Sequence, residues 1–306
     1  MRGPHAQTVV PSFLPARAVR GSVETIDVPV AAGTRVRVVV TRPSVTPRGT
    51  LLAIHGLSGS AESGYMRRTA AQALARGWAV VRINLRNCGG TEALAATFYN
   101  AGQSDDADAV LRAIEENGLP RPYVLLGFSL GGNIALLYAG LSGSACLADA
   151  VCGVNPPVDL PVCIDAIERS GNALYHAYFT RSLCAQLRRI RLVRKVPGPL
   201  ATPAAIGGVR GFDDLFTAPD AGYANAADYY RGASAAAVLT GVRRPALILS
   251  AQDDPFVPVS MFDAHRAASS ALRFVHPRWG GHCGYWGARR PRFWAAEAAL
   301  LFFERD

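Results

Sequence analysis

"YVLLGFSLGGNIALLYAG", residues 123–140, runs an apolar segment into a serine flanked by glycines and then into a second apolar segment. "RPYVLLGF" reads as a buried strand and "LGGNIALLYAG" as the helix after it, which leaves Ser129 at the junction. A Gly-x-Ser-x-Gly pentapeptide arises by chance in roughly one chain of this length in ten. Gly127-Phe128-Ser129-Leu130-Gly131 therefore carries little by itself, and its context must decide. A strand turning straight into a helix lifts the side chain at the turn above the sheet, and flanking glycines are needed because side chains there would clash with strand or helix. In that setting a serine hydroxyl is presented as a nucleophile.

The rest of the chain supplies the matching architecture. Strand-like and helix-like segments alternate around the pentapeptide, which predicts an α/β fold with a mostly parallel central sheet and helices on both faces. Val23–Val30 and Arg35–Thr41 read as an opening antiparallel pair at the sheet edge. "GTLLAIHG" reads as a buried central strand, 64–76 as a helix stopped by Gly77, and "WAVVRINLR" as the next strand. "SDDADAVLRAIEEN" has the acidic first turn of a helix, and "LADAVCGVNPP" is a strand closed by two prolines. From residue 158 to 239 the rhythm gives way to arginine-rich helical pieces, a Pro/Gly-rich break and an aromatic stretch. We read 158–239 as a cap inserted into a single domain spanning 1–306. "RPALILSAQDDPF", "SMFDAHRAASS", "LRFVHP" and "RPRFWAAEAALLFFERD" then resume the alternation as strand, helix, strand and closing helix.

Composition narrows the function classes. The chain has 306 residues, half of them hydrophobic, enough for a sizeable core. Its six cysteines form no C-x-x-C pair and sit among apolar neighbours, which argues against a metal site or a disulfide framework. No cofactor is expected. The net charge of +9 comes almost wholly from arginine. Without an aromatic-interleaved basic patch, zinc-finger spacing or a helix-turn-helix cue, that charge does not point to nucleic acid. The N-terminal stretch, with prolines at 4, 11 and 15, holds no apolar block for a secretory core or a membrane span. A soluble, cytoplasmic protein with no stable membrane anchor is the expectation.

A serine is a poor nucleophile at neutral pH unless a general base stands within hydrogen-bond reach and a carboxylate orients that base. In this architecture the chain order is Ser, then Asp or Glu, then His. His265 falls inside a helix and His276 at a strand end, settings of ordinary packing or surface histidines. His282 lies in the glycine-rich "RWGGHCGYWG", a loop that can carry an imidazole over the sheet. For the acid, "LILSAQDDPFVP" offers two neighbours after a strand. A turn of the form Asp-Pro-x-Val-Pro favours Asp254, leaving Asp253 to shape the loop or bond backbone amides. The developing oxyanion needs donors: the Leu130 N–H, at the start of a helix, and the Leu57 N–H from "HGLSGS". His55, beside Gly56, suits a role in holding that loop.

With these residues in place the chain resembles the α/β-hydrolases, and within them the YheT-like group that also contains the eukaryotic ABHD lipases and the yeast medium-chain ester synthases/esterases. The likeness spans nearly the whole length, through "PHAQT", "HGLSGS", "NLRNCGGTE", "FYNAGQSDD", "GFSLGGN", "FDDLFTAP", "ADYYRGAS", "DDPFVP" and "GGHCGYW". It implies Ser129 as nucleophile, His282 as base and Asp254 as orienting acid. It implies a serine hydrolase of carboxylic esters, a short- or medium-chain esterase or an acylglycerol lipase, with a small-molecule or lipid ester as substrate. An N-terminal membrane anchor of the kind its animal relatives carry is not expected, and Asn87 stands where many relatives have glycine.

Phe179, Phe212, Phe216 and Tyr229, with Leu183 and Leu187, are the cap side chains expected to form an acyl pocket or, equally, to pack the cap on the core. The cap's arginines allow peripheral contact with an anionic membrane, beside the plainer reading of a solvated helix face. Two further functions stand beside the hydrolase: an acyltransferase using the same acyl-enzyme with an alcohol acceptor, and a non-catalytic binding module on the same scaffold.

Overall fold

The computed structural model describes residues 3–16 and 19–305. Eight strands form one sheet in the spatial order β1-β2-β4-β3-β5-β6-β7-β8. β1 (Ser22–Ala31) and β2 (Thr34–Arg42) are the expected antiparallel pair at one edge, and β2 also runs antiparallel to β4 (Ala79–Asn84). From there β3 (Thr50–Ile54), β5 (Tyr123–Phe128), β6 (Ala150–Val154), β7 (Ala246–Leu249) and β8 (Leu272–Val275) continue in parallel. Every residue of β3, β4, β5, β6 and β7 is buried, as their unbroken apolar runs require of strands covered on both faces. The period of two then sorts them. Leu52 and Ile54 face one core layer, Leu51 and Ala53 the other.

α3 (Ser104–Glu116) and α4 (Leu130–Ser142) cover the first face, and α2 (Gly64–Ala75) and α11 (Trp294–Phe303) the second. Between β6 and β7 the chain leaves the sheet for a wholly helical segment. It contains α5 (Leu160–Glu168), α6 (Ala173–Val193), the short α7 (Pro203–Ile206), α8 (Val209–Phe212) and α9 (Ala218–Asp220), and α10 (Ala226–Ala233). The order of chain connections reverses between β3 and β5, and open α/β sheets form their binding crevice at such a reversal.

One element differs from expectation, and one stands where none was assigned. "SMFDAHRAASS" closes as tight 3-10 turns over Val259–His265 rather than as an α-helix, with Met261 N–H bonded to Pro258 O. The proline-rich N-terminus, which gave no helix signal, forms α1 (Pro4–Phe13). Pro4 occupies the first turn, where its missing N–H costs nothing. Pro11 lies inside the helix and withholds the N–H that Gln7 C=O would otherwise receive. That carbonyl faces Gly284, where an added Cβ would stand 1.7 Å from it, so the helix seats on a position only glycine can fill.

Candidate active site

Ser129 follows the last residue of β5 and caps α4 with φ 52° and ψ −122°, a conformation that non-glycine residues seldom adopt. Its surroundings over-determine it. Ser129 N–H donates to Val154 O at 2.9 Å, and Gly132 N–H donates to Ser129 O at 2.7 Å. A Cβ on Gly127 would lie 2.0 Å from Gly131 O, and one on Gly131 2.4 Å from Ile54 O. Both glycines are required by this close approach of backbone to backbone, and the hydroxyl is left pointing away from the sheet.

The loop after β8 brings His282 to it. His282 Nε2 is 2.8 Å from Ser129 Oγ, and His282 Nδ1 is 2.8 Å from Asp254 Oδ2. The Asp254 side chain is fully buried and its second oxygen accepts from Phe256 N–H at 2.8 Å and Val257 N–H at 3.1 Å. Since the carboxylate can only accept, Nδ1 carries the proton and Nε2 is left to accept from the serine hydroxyl. Asp253 does something else: its Oδ1 accepts from both Gly280 N–H and Gly281 N–H at 2.8 Å, fixing the start of the histidine loop. Asn155, just past β6 with φ 47°, donates its side-chain amide to Asp254 Oδ2 and accepts from Cys283 N–H at 3.4 Å. It was not singled out in the sequence. The signal was an asparagine in "GVNPP" at a strand end, since asparagine tolerates positive φ better than most residues.

His265 and His276 stay away from Ser129. His276 Nδ1 bonds Ser250 O at 3.1 Å and its ring stacks on Phe262. Cys283 is the other nucleophilic side chain near Ser129, but burial, with the Asp254 charge nearby, pushes its thiol well above the ordinary range. It is held as a thiol and not a thiolate.

On the other side of Ser129 lies the loop after β3. Gly56 N–H donates to Tyr65 Oη at 2.9 Å and Ser58 N–H to Tyr99 Oη at 3.0 Å. The Leu57 N–H between them has no acceptor among the described residues, and neither has the Leu130 N–H at the first turn of α4. His55 is wholly buried beneath this loop. Its Nε2 receives the Leu85 N–H at 3.1 Å, so Nδ1 must be the protonated nitrogen and donates to Gly56 O at 2.8 Å. Burial lowers its pKa to about 4, so the ring is neutral and serves as a strut.

Ser129, His282 and Leu57 open into a cavity of about 580 Å3. The start of α6 lines it with Leu174, Tyr178 and Phe179, and α1 with Val9, Pro11 and Phe13. Of the cap aromatics named from the sequence, Phe179 lines this cavity. Phe212, Phe216 and Tyr229 take the other of the two expected places: all three are buried in the core, where Phe212 and Phe216 pack on Phe98 and Tyr229 Oη receives the Ala101 N–H at 2.9 Å. Leu183 and Leu187 are likewise buried in the core and do not line the cavity. Apolar composition alone does not tell which aromatic faces the core and which the cavity. Among the described residues no cluster of three His, Cys, Asp or Glu could hold a metal ion, and no helix is long and apolar enough to cross a membrane.

A mostly parallel sheet with a serine on a strained strand-to-helix turn, hydrogen-bonded to a histidine that is itself bonded to a buried aspartate, defines an α/β hydrolase. The family model described as "alpha/beta hydrolase fold" matches residues 49–288, and the chain belongs to that family. It is 32% identical over 248 residues to YheT of Escherichia coli (strain K12), a protein with an esterase name, covering 80% of this chain and 73% of YheT. To the monoacylglycerol lipase of Saccharomyces cerevisiae it is 26% identical over 268 residues, 83% of this chain and 58% of the yeast protein. The esterase Pf2001 of Pyrococcus furiosus superposes with a TM-score of 0.62 over 95% of this chain and 99% of its own, at 13% identity, a likeness of fold.

Proposed function

We propose that this chain is a serine hydrolase of carboxylic esters carrying short or medium acyl chains, acylglycerols included. The observation that carries the reading is the unbroken chain of hydrogen bonds from Ser129 Oγ through His282 to Asp254 at the end of an apolar cavity. Ser129 Oγ attacks the ester carbonyl while His282 Nε2 takes its proton, and Asp254 stabilises the imidazolium that forms. The carbonyl oxygen gains negative charge and is received by the Leu57 and Leu130 N–H groups, which have no acceptor among the described residues to give up. His282 then protonates the departing alkoxide, leaving an acyl-enzyme. Water enters, gives its proton to His282 and releases the acid, and the proton returns to Ser129.

The helical segment between β6 and β7 acts as a cap in this scheme, because Leu174, Tyr178 and Phe179 of α6 offer an apolar surface beside the nucleophile. A cavity of this size and lining suits the acyl part of a small or lipid ester. The names of the relatives, an esterase and a monoacylglycerol lipase, agree with that class of substrate. The test is hydrolysis of nitrophenyl esters from butyrate to octanoate together with labelling by a fluorophosphonate probe. Release of nitrophenol and covalent labelling are expected; neither occurring would overturn the reading. Glycerol or ethanol added during turnover separates hydrolase from acyltransferase, through the absence or appearance of a new ester.

A further inference from the structure

We infer that the N-terminal helix is a working part of the active site, and that Thr8 is a positioning residue for His282, assisted by Gln7. The inference rests on the serine-hydrolase reading above. It begins with the histidine loop, which has no regular secondary structure around His282 and must be held from outside. Asp253 holds its start. Its middle and end are held by α1.

The contact is polar and specific. His282 N–H donates to Thr8 Oγ1 at 2.9 Å, and the same hydroxyl donates to Pro4 O at 2.7 Å, so its proton and one acceptor site are both in use. One helical position earlier, Gln7 Oε1 accepts from Trp286 N–H at 2.8 Å while its amide nitrogen donates to Trp286 O at 3.1 Å. These bonds span about 275 residues of chain, joining the first helix to the backbone at His282 and four residues beyond it. Gly281, just before His282, and Gly284, between His282 and Trp286, lie flush against α1: an added Cβ would meet Gln7 Cβ at 2.7 Å and Gln7 O at 1.7 Å, respectively. The far end of α1 is fastened too. Arg68 donates to Pro11 O at 2.6 Å and to Leu14 O at 2.8 Å. On the cap side His5 Nδ1 lies 3.0 Å from Tyr175 Oη, and Tyr175 packs edge-on against Phe256, which in turn touches the His282 ring.

Thr8 bonds the backbone of His282 and leaves both ring nitrogens free for Ser129 and Asp254. It therefore takes no proton in the reaction. Its effect is on where the imidazole stands, and displacing a reacting group by about 1 Å costs on the order of 100-fold in rate.

Thr8→Val keeps the shape and removes the acceptor; Thr8→Ser restores it. For butyrate ester hydrolysis, Thr8→Val is expected to lower kcat about 10- to 100-fold with KM within about twofold of wild type. Fluorophosphonate labelling should slow by the same factor, and Thr8→Ser should return both to within about threefold. Backbone hydrogen exchange over 280–286 should rise in Thr8→Val. Because Thr8→Val can unseat the helix, thermal unfolding is followed on the same samples. Thr8→Ala, which leaves room for a water on the His282 N–H, is measured beside it and should show a smaller kcat loss. Wild-type kcat in Thr8→Val or Thr8→Ala, a loss confined to KM, or a failure of Thr8→Ser to restore turnover would each overturn the inference. A wild-type protein that neither labels nor hydrolyses would overturn the hydrolase reading instead, which separates the two failures.

Discussion

Ser129 and His282 stand 2.8 Å apart but are held in opposite ways. Ser129 is set mainly by its own stretch of chain: its conformation follows from the strand before it, the helix after it and two glycines within two residues, seated on the neighbouring strands at Val154 and Ile54. His282 is fixed remotely, by Asp253, Asp254, Asn155 and Thr8, from three other stretches of the chain. The difference teaches where each half is vulnerable. On the serine side a substitution breaks backbone packing and costs stability. On the histidine side it breaks a long-range bond and costs turnover, while the fold survives.

Substitutions sharpen the contrast, beginning with the largest effect. Asp254→Asn replaces the charged partner of His282 Nδ1 and favours the wrong tautomer; kcat should fall about 10⁴-fold, with KM little changed and the fold retained. An Asp254→Asn protein that does not fold would erase the distinction between the two sides. Gly131→Ala is the counterpart, since its Cβ would lie 2.4 Å from Ile54 O and 2.6 Å from His55 O. Denaturant unfolding should show a loss of more than about 3 kcal/mol.

His55 tests the serine side through pH. It is buried and neutral, with its pKa lowered to about 4 against 6.5 in the unfolded chain. Between those values the unfolded state binds the extra proton and the folded state does not, so stability falls as pH drops from 6.5 towards 4 and rises in the other direction. The full change from this group is about 3 kcal/mol. Asp213, whose carboxyl burial raises to about 6, works oppositely: protonation on acidification relieves its buried charge. The total slope therefore mixes the two. The informative quantity is the stability difference between wild type and His55→Gln, which should shrink by about 3 kcal/mol between pH 6.5 and 4. A difference that stays constant would mean His55 is not the neutral strut described.

The same contrast explains what the sequence made legible. Gly127-Phe128-Ser129-Leu130-Gly131 declares itself because its strand, helix and glycines are adjacent in the chain, and "DDPFVP" and "GGHCG" because each has its own turn chemistry. The parallel sheet followed from unbroken apolar runs. What joins the parts did not show. Thr8 and Gln7 lie in a stretch whose prolines argue against a helix, and only the seat at Gly284 makes that helix worthwhile. Asn155 acts through a side-chain bond that spans 99 positions. The two readings of the cap aromatics stayed open for a related reason. Phe179 and Phe212 are chemically alike, and only tertiary packing sends one to the cavity and the other to the core.

The central claim is that the 2.8 Å contact from His282 Nε2 makes Ser129 Oγ the nucleophile. Its most direct test is fluorophosphonate labelling of wild type and Ser129→Ala, with the labelled peptide mapped by mass spectrometry. The account predicts one adduct, on Ser129, and complete loss of labelling and ester hydrolysis in Ser129→Ala. Labelling that survives the substitution, or an adduct on any other residue, would contradict it.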